Sequence, residues 1–210
     1  MKERDLISSE MGHGHYIEPA FGREVHRVGA GERLDLDFVI LPGQPRDLRI
    51  EVDLVGEGAE VNLRGLYLCP SDEQVSITVI LHHRVSGCRS SQLFKGIVGG
   101  TAKVRFDGTI IVAPDAQQTE AYQENHNILL TETALVETSP QLEIYADDVK
   151  CSHGATVGRL NEEEQFYMRS RGIPEAEAKI LQMISFLAPV TSHLPETQAA
   201  AIESALRSIL

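Results

Sequence analysis

The chain is short of several features that mark large classes of protein. It has no tryptophan, and its 19 lysines and arginines stand against 31 aspartates and glutamates, which gives a formal net charge of −12. This balance, without a Lys/Arg-rich tract, argues against nucleic acids and anionic membrane surfaces as partners. No run approaches the roughly 20 consecutive apolar residues of a transmembrane helix. The polar start, MKERDLISSEMGHGHY, also lacks the apolar core of a signal peptide.

Cysteine is scarce, and its pattern argues against two kinds of site. The three cysteines, Cys69, Cys88 and Cys151, are odd in number and show no C-x-x-C spacing. Neither a disulfide framework nor a structural zinc site is indicated. We therefore predict a reducing, cytoplasmic compartment.

Common catalytic signatures are absent as well. The sequence contains no G-x-x-x-x-G-K-[ST] phosphate loop, no G-x-S-x-G nucleophile elbow and no G-x-G-x-x-G dinucleotide fingerprint. The chemistries that depend on these motifs are therefore not expected.

The larger part of the chain has the pattern of β-strands. From about residue 25 to residue 157, short runs of alternating or β-branched residues recur, and four of them begin at nearly even spacing, at Leu34, Leu48, Val61 and Val75. Alternation with a period of two is typical of a strand with one buried face. Helical connectors are missing, which argues against an α/β sheet. The residues alone predict an all-β body and leave a sandwich, a barrel and a β-solenoid open.

The C-terminal part of the chain has the pattern of helices. Asn161 is placed to cap a first helix, and Gly172 to end it. Pro174 fits the first turn of a second helix, which we expect to stop at Pro189, and a third helix is expected after Pro195. The positions assigned to the apolar side are Phe166, Tyr167 and Met168 in the first helix, Ala178, Leu181, Ile184 and Ser185 to Leu187 in the second, and Ile202, Leu206 and Ile209 or Leu210 in the third.

We divide the chain into three segments. They are a loose lead-in over 1–20, a β core over 21–160 and a helical region over 161–210. In the lead-in, His13 and His15 followed by Glu18 faintly resemble the metal motif of cupin barrels. The carboxylate comes too early and the rest of that motif is missing, so a flexible tail is the favoured interpretation.

Reactive side chains are concentrated in residues 142–158. Cys151 and His153 are two residues apart, so in a strand they project from the same face. Thiolate and imidazole suit iron, iron–sulfur clusters or zinc, but two ligands cannot close a four-ligand site, and others would come from elsewhere in the fold or from a second subunit. For an isolated C-x-H, the favoured interpretation is plainer: Cys151 is a small buried hydrophobe and His153 a hydrogen-bonded surface or interface residue.

Two adjacent pairs are weaker candidates. Asp147 and Asp148 suit acid–base or glycoside chemistry, but strand neighbours point to opposite faces, and a turn before Val149 is favoured. His82 and His83 likewise face opposite ways, so shared metal binding is not expected.

Several blocks of the sequence strongly resemble the core domain of the SufB/SufD family, the scaffold components of the SUF iron–sulfur cluster assembly system. The most specific block is LEIYADDVKCSHGATVG at 142–158, followed by FYMRSRGI at 166–173. Supporting matches lie upstream: SSQLFKG at 90–96, FDGTIIV at 106–112, AQQTEA at 116–121 and QENHNILL at 123–130. The resemblance covers roughly residues 25–188.

The resemblance implies a fold and a set of partners. The family fold is a right-handed parallel β-helix with a short C-terminal helical region. Family members pair through their β-helices, a transient iron–sulfur cluster forms at the interface of the pair, and the helical region docks a soluble ABC-type ATPase. The scaffold is not itself that ATPase, so the chain is not expected to be an enzyme. Its expected partners are a SUF-type ABC ATPase and either a SufB-like protein or a second copy of itself.

The resemblance also assigns residues. His153 matches the family histidine proposed to lie at the cluster site, and Cys151 is its same-face neighbour. The Cys-Ser-His-Gly motif is similar to that of the SufD branch. The upstream cysteine of the SufB branch would fall at or beside Asn125, so that thiol is missing. The residues that match the ATPase-docking region are Phe166, Tyr167, Arg169, Arg171 and Gly172.

The chain differs from the family pattern in size, because the usual helical N-terminal domain has no counterpart in its polar lead-in. Three functional hypotheses stay open. The first is a SufD-like, non-enzymatic scaffold subunit. The second is a structural or regulatory member of the family without cluster chemistry. The third, built on Asp147, Asp148 or the histidines, is a metal-dependent or carbohydrate-active all-β enzyme.

Overall fold

The computed structural model describes residues 14–17, 22–43 and 46–209. In these ranges all strands precede all helices, as the sequence predicts. The strands are β1 (Gly14–Ile17), β2 (Gly22–Val28), β3 (Arg33–Ile40), β4 (Arg46–Leu54), β5 (Glu60–Cys69), β6 (Gln74–His83), β7 (Arg89–Val98), β8 (Lys103–Val112), β9 (Thr119–Leu129), β10 (Leu135–Ile144) and β11 (Val149–Gly158). The helices are α1 (Glu162–Ser170), α2 (Glu175–Thr191) and α3 (Glu196–Arg207).

The strands form two parallel sheets. Sheet A has the order β1-β3-β5-β7-β9-β11, and sheet B has the order β10-β8-β6-β4-β2. Successive strands alternate between the sheets, so two strands complete one turn, and each turn stacks on the one before it. Side-chain hydrogen bonds between neighbouring turns accordingly join residues 27 to 33 positions apart. The chain is therefore a parallel β-solenoid of about five turns, which confirms the β-helix implied by the family resemblance.

The alternating pattern of the strands decides which side chains fill the solenoid. In β6, Val75, Ile77, Val79 and Leu81 are buried, while most of the residues between them are only partly covered. Parallel pairing places each inward position over its counterpart on the next turn, such as Ile77 over Phe106. These stacks form an apolar core between the two sheets. The four evenly spaced runs of the sequence are confirmed as β3 to β6.

Helix α2 packs on part of the outer face of sheet A, against β5 and β7, and α3 packs against α2. There they form a second core cluster with outward-facing residues of β3, β5 and β7. Its buried members are Val39, Leu66, Leu68, Ile97, Ile180, Met183, Leu187, Val190, Leu194, Ile202 and Leu206. Helix α1 contributes no buried residue and packs against α2. The helical region is thus anchored through α2 and α3, and α1 lies at the surface.

The ends of α1 confirm the sequence predictions. The side chain of Asn161 accepts hydrogen bonds from the backbone N–H groups of Glu163 and Glu164. Gly172 has a φ of 87°, and its N–H donates to the carbonyl of Arg169, which closes the helix. Among the described helices, none is both long and apolar enough to cross a bilayer.

Two expectations for α2 are wrong. The sequence places its end at Pro189, whereas the helix continues to Thr191. Proline removes one backbone N–H and crowds the preceding turn, but burial of Val190 in the second core cluster holds the last residues in the helix. The sequence also places Leu181 on the buried stripe, yet it is 39% exposed, and Met183 is buried instead. Periodicity indicates a stripe, but its centre is set by the sheet that the helix meets.

The lead-in predicted over 1–20 is described only in part. Gly14–Ile17 form β1, which pairs with β3, so one strand lies within this segment. His13 and Glu18 of the cupin-like pattern lie outside the described residues.

A histidine is buried inside the solenoid at the end of β6. His83 Nε2 lies 2.8 Å from Ser90 Oγ, and the residues paired with His83 on the neighbouring strands are Leu54 and Val112. Its Nδ1 has no hydrogen-bond partner within the described ranges. Burial lowers the pKa of this imidazole to about 4, because an apolar setting disfavours the charged form.

We expect His83 to make the fold sensitive to mild acid. Between pH 6.5 and pH 4 the unfolded chain binds a proton at His83 that the folded chain excludes. The free energy of unfolding therefore falls as the pH decreases, by about 3 kcal/mol across this window. Urea unfolding at several pH values, compared between wild type and His83→Gln, measures this loss. His82→Gln, on the outer face, is the control, and equal pH slopes for wild type and His83→Gln would contradict the prediction.

Candidate functional site

The solenoid ends at β10 and β11. Each is the last strand of its sheet, so in the described part of the chain one edge of each has no neighbouring strand. The free N–H and C=O groups of such an edge can pair with another chain. We call the surface formed by β10, β11 and the bend between them the open end. Its exposed large apolar side chains are Leu135, Ile144, Tyr145 and Val157.

Cys151 and His153 lie on the inward face of the open end. Strand β11 pairs with β9 so that Cys151 lies beside Ala121 and His153 beside Gln123, both of which are buried inside the solenoid. The sequence prediction that the two side chains share a face agrees with this register. Cys151 is half-buried against a small apolar cluster that includes Ala121, and burial raises the pKa of its thiol. His153 is exposed, since no further turn covers it.

These two side chains supply an incomplete ligand set. Thiolate and imidazole are suitable ligands for iron and iron–sulfur clusters. In the ranges that the structure describes, no group of three or more His, Cys, Asp and Glu side chains is close enough together to hold a metal ion. A four-ligand cluster at Cys151 and His153 would therefore need further ligands from outside the described residues, such as those of a second chain. The open end is a place where a second chain can approach.

Polar side chains line the interior beneath the open end. The amide of Asn125 donates to the Tyr67 hydroxyl, which donates to Asn127 Oδ1. The family resemblance places the missing thiol at or beside Asn125, which is fully buried here. Gln123 on the same strand and Gln92 on β7 are also buried, but their amides make no hydrogen bond to a described residue. An unsatisfied buried polar group costs about 1–3 kcal/mol.

The sequence reasoning missed Gln92 and Gln123. A signal was present in QENHNILL, because Gln123, Asn125 and Asn127 occupy alternate positions and share one face of a strand. Polar residues on such a face are normally assigned to solvent. Only the stacking of turns shows that this face of β9 is buried.

The other candidate pairs do not join a larger site. Asp147 and Asp148 lie in the bend before β11, as the turn interpretation predicts, and the Asp148 N–H donates to Gln117 Oε1. His83 is buried inside β6, whereas His82 faces outward. Neither pair has a third ligating side chain nearby among the residues described.

The residues expected to dock an ATPase belong to α1 and the turn after it. Phe166 is 72% exposed and Tyr167 is 60% exposed. Arg171 lies over the Tyr167 ring, 5.3 Å from its centroid. Arg169 forms an ion pair with the first turn of α2, and Gly172 ends α1. Helix α1 therefore presents aromatic surface that the described part of the chain leaves uncovered.

A groove of about 730 Å³ lies between α1, α2 and the last turn of the solenoid. Its walls include Ile128, Leu160, Tyr167, Met168, Leu181 and Phe186, with Glu163, Glu164 and Arg159. The Gln182 amide of α2 donates to the Asn161 carbonyl at 3.0 Å and to Glu164 Oε2 at 2.8 Å. Polar contacts thus hold α1 in place while its apolar side chains stay accessible.

Comparisons with known proteins agree with this architecture. A family model described as "SUF system FeS cluster assembly, SufBD core domain" matches residues 27–186. The chain is 43% identical to the iron–sulfur cluster assembly protein SufD of Escherichia coli K12 over 141 residues, which cover 67% of this chain and 33% of that protein. It is 31% identical to SufD of Bacillus subtilis 168 over 143 residues, with coverage of 68% and 33%. It is 34% identical to the chloroplastic protein ABCI7 of Arabidopsis thaliana over 152 residues, with coverage of 71% and 32%.

The matched region runs from the end of β2 into α2 and contains the open end and α1. The chain spans about a third of the length of these relatives. Because the family model covers well over half of the sequence, the resemblance noted in the sequence is confirmed: the chain belongs to the SufBD family of the SUF iron–sulfur cluster assembly system.

Proposed function

We propose that this chain is a SufD-like, non-enzymatic scaffold subunit that contributes half of an iron–sulfur cluster assembly site. The observation that carries the proposal is the position of Cys151 and His153 at the open end of the solenoid. An incomplete and accessible ligand set suits a cluster that is built and then passed on, because a closed four-ligand cage would retain it. The cluster is cargo, and the partner chain supplies its remaining ligands.

Pairing is proposed to occur through the open end. Strands β10 and β11 offer free edges to which the edge strands of another solenoid can add, which continues both sheets across the pair. Exposed apolar side chains such as Tyr145 lose contact with water in that arrangement, which favours association. The partner is a SufB-like protein or a second copy of this chain. His153 then lies between the two subunits.

The docking surface for a SUF-type ABC ATPase is proposed to lie on α1. Phe166 and Tyr167 are aromatic anchors of the kind that dominate protein interfaces. Glutamates at 162–164 make the first turn of this helix acidic, which favours a partner surface with basic residues. Since α1 buries no residue of its own, its apolar side chains are free to contact the ATPase.

Anaerobic co-expression tests the proposed function. The chain is produced together with the SUF-type ATPase and any SufB-like protein of its own organism, and size-exclusion chromatography with light scattering gives the masses of the complexes. A stable complex that contains the ATPase supports the assembly role. A homodimer that binds neither protein would contradict it.

Replacing the two exposed aromatic residues of α1 is expected to remove ATPase binding. A hot-spot side chain contributes about 2 kcal/mol or more, so Phe166→Ala/Tyr167→Ala should weaken the affinity by at least about 30-fold. Isothermal titration calorimetry with the purified ATPase measures this change. Tyr145→Ala is the matched control, because Tyr145 at the open end is 62% exposed and lies outside α1. An unchanged affinity in the double variant would show that the ATPase docks elsewhere.

One set of contacts favours the second hypothesis, a structural or regulatory family member without cluster chemistry. Cys151 packs into an apolar cluster, and Asn125, at or beside the position where the family thiol is expected, donates a hydrogen bond to the Tyr67 hydroxyl. Such a protein would still join the complex. Substitution of His153 would then leave iron–sulfur enzyme maturation unaffected, which separates the two hypotheses.

A further inference from the structure

One column of inward-facing residues runs along the solenoid to His153. The register of sheet A aligns Leu63 with Gln92, and Gln92 with Gln123 on the next turn. On the last turn Gln123 aligns with His153. The column changes from apolar to polar as it approaches the open end. Gln123 is therefore the residue directly beneath His153.

The amide of Gln123 is buried and has no hydrogen-bond partner among the described residues. The residue is 1% exposed, and neither Oε1 nor Nε2 makes a hydrogen bond to any part of the chain that the structure describes. A Cβ at Gly108, across the interior, would lie 1.8 Å from Gln123 Nε2, so the glycine leaves room for this amide. By contrast, the neighbouring amides of Asn125 and Asn127 bond to each other. Gln92, one turn below, is unsatisfied in the same way, but Gln123 is the one of the two that lies beside His153. A buried amide without a partner calls for an explanation.

A histidine that binds a metal needs a partner for its second ring nitrogen. That nitrogen carries a proton, and an acceptor behind it fixes both the tautomer and the orientation of the ring. Neighbouring strands lie about 4.8 Å apart. An imidazole that turns inward from His153 is therefore within hydrogen-bond reach of the Gln123 amide on the adjacent strand.

We propose that Gln123 is a positioning residue for His153. Its Oε1 accepts a hydrogen bond from the ring nitrogen that faces the interior, which leaves the other nitrogen free to bind iron at the open end. This inference rests on the proposed function, in which His153 is a cluster ligand. Gln123 does not touch the cluster and acts only on the tautomer and orientation of the imidazole.

The matched variants Gln123→Met and Gln92→Met test this inference. Both glutamines are 1% exposed and lack partners among the described residues, and methionine keeps their length without a polar group. Nitrogen-15 NMR of the full chain, labelled at histidine, reports the tautomer of His153. Maturation of an iron–sulfur enzyme in cells that depend on the SUF system is the second readout. We expect one tautomer in wild type and in Gln92→Met. We expect a mixture in Gln123→Met, with maturation lowered about tenfold only there.

Other outcomes would overturn the inference. It is wrong if Gln123→Met keeps the single tautomer, or if both variants change the tautomer equally. If Gln123→Met does not fold, Gln123→Asn takes its place, since it keeps an amide but withdraws it by one methylene, and the same mixture is expected. Failure of the proposed function is recognised separately. If His153 is not a cluster ligand, His153→Ala leaves maturation unchanged, and the His153 tautomer in Gln123→Met still decides the role of Gln123.

Discussion

Replacing His153 by alanine is expected to abolish iron–sulfur enzyme maturation while leaving the protein folded. The proposed half-site loses its imidazole, and loss of a ligand should reduce maturation by more than the roughly tenfold effect of losing a residue that only orients one. His153 is exposed on an edge strand, so the free energy of unfolding should change by no more than about 0.5 kcal/mol. The activity of an iron–sulfur enzyme in extracts of complemented cells measures the first effect, and urea unfolding the second.

Ser152→Ala is the matched control for this experiment. Ser152 adjoins His153 on β11 and is also exposed, but its side chain projects from the opposite face of the strand. Cells that carry Ser152→Ala should mature iron–sulfur enzymes normally. Normal maturation with His153→Ala would show that the site assignment is wrong, although a scaffold role could survive. That result would favour the family member without cluster chemistry.

Phe94→Ala is expected to cause the largest loss of stability, about 3–5 kcal/mol. Phe94 is fully buried between the sheets, and its ring lies 4.9 Å from that of Phe106. Truncation leaves a cavity that the stacked turns cannot close, because each turn is held to its neighbours along the whole length of its strands. Urea unfolding of the variant and the wild type measures the difference in free energy.

Gly65→Ala tests the same packing by adding a methyl group next to the Phe94 ring. A Cβ at Gly65 would lie 2.3 Å from Phe94 Cδ1, so alanine should cost about 1–3 kcal/mol by overpacking. In the double variant Gly65→Ala/Phe94→Ala the new methyl group occupies part of the cavity. Its loss of unfolding free energy should therefore be smaller than the sum of the two single-variant losses by about 0.5–3 kcal/mol. Gly154→Ala is the control, since no atom lies within 4 Å of its added Cβ. Additive losses in the double variant would contradict this packing.

Much of the fold could be predicted from local patterns. The evenly spaced alternating runs correspond to β3 to β6. Helix α1 begins after Asn161 and ends before Gly172, as expected. Local signals suffice there because alternation, capping and left-handed glycines act within a few residues. The residues alone did not separate a solenoid from a sandwich or a barrel, because all three use the same alternation. The family resemblance supplied that choice.

The candidate site was predicted in part. The spacing of Cys151 and His153 placed both on one face of a strand, which the register of β11 supports. Their different burial did not follow from spacing, because it depends on the apolar cluster around Ala121 and Ala146, which Cys151 contacts and His153 is not part of. Gln123 was missed for a similar reason. Its polar character suggested solvent, while the turns stacked on either side of it place it inside.

By itself the sequence determined the strand periods, the helix caps, the family and the shared face of Cys151 and His153, since each of these depends on residues close together in the chain. The tertiary structure alone decided which faces are buried, where α2 ends and which strands keep a free edge. These outcomes depend on contacts between residues about thirty positions apart, made when one turn of the solenoid stacks on the next. The pairing of Gln123 with His153 belongs to this second group, because only the register of β9 against β11 brings them together.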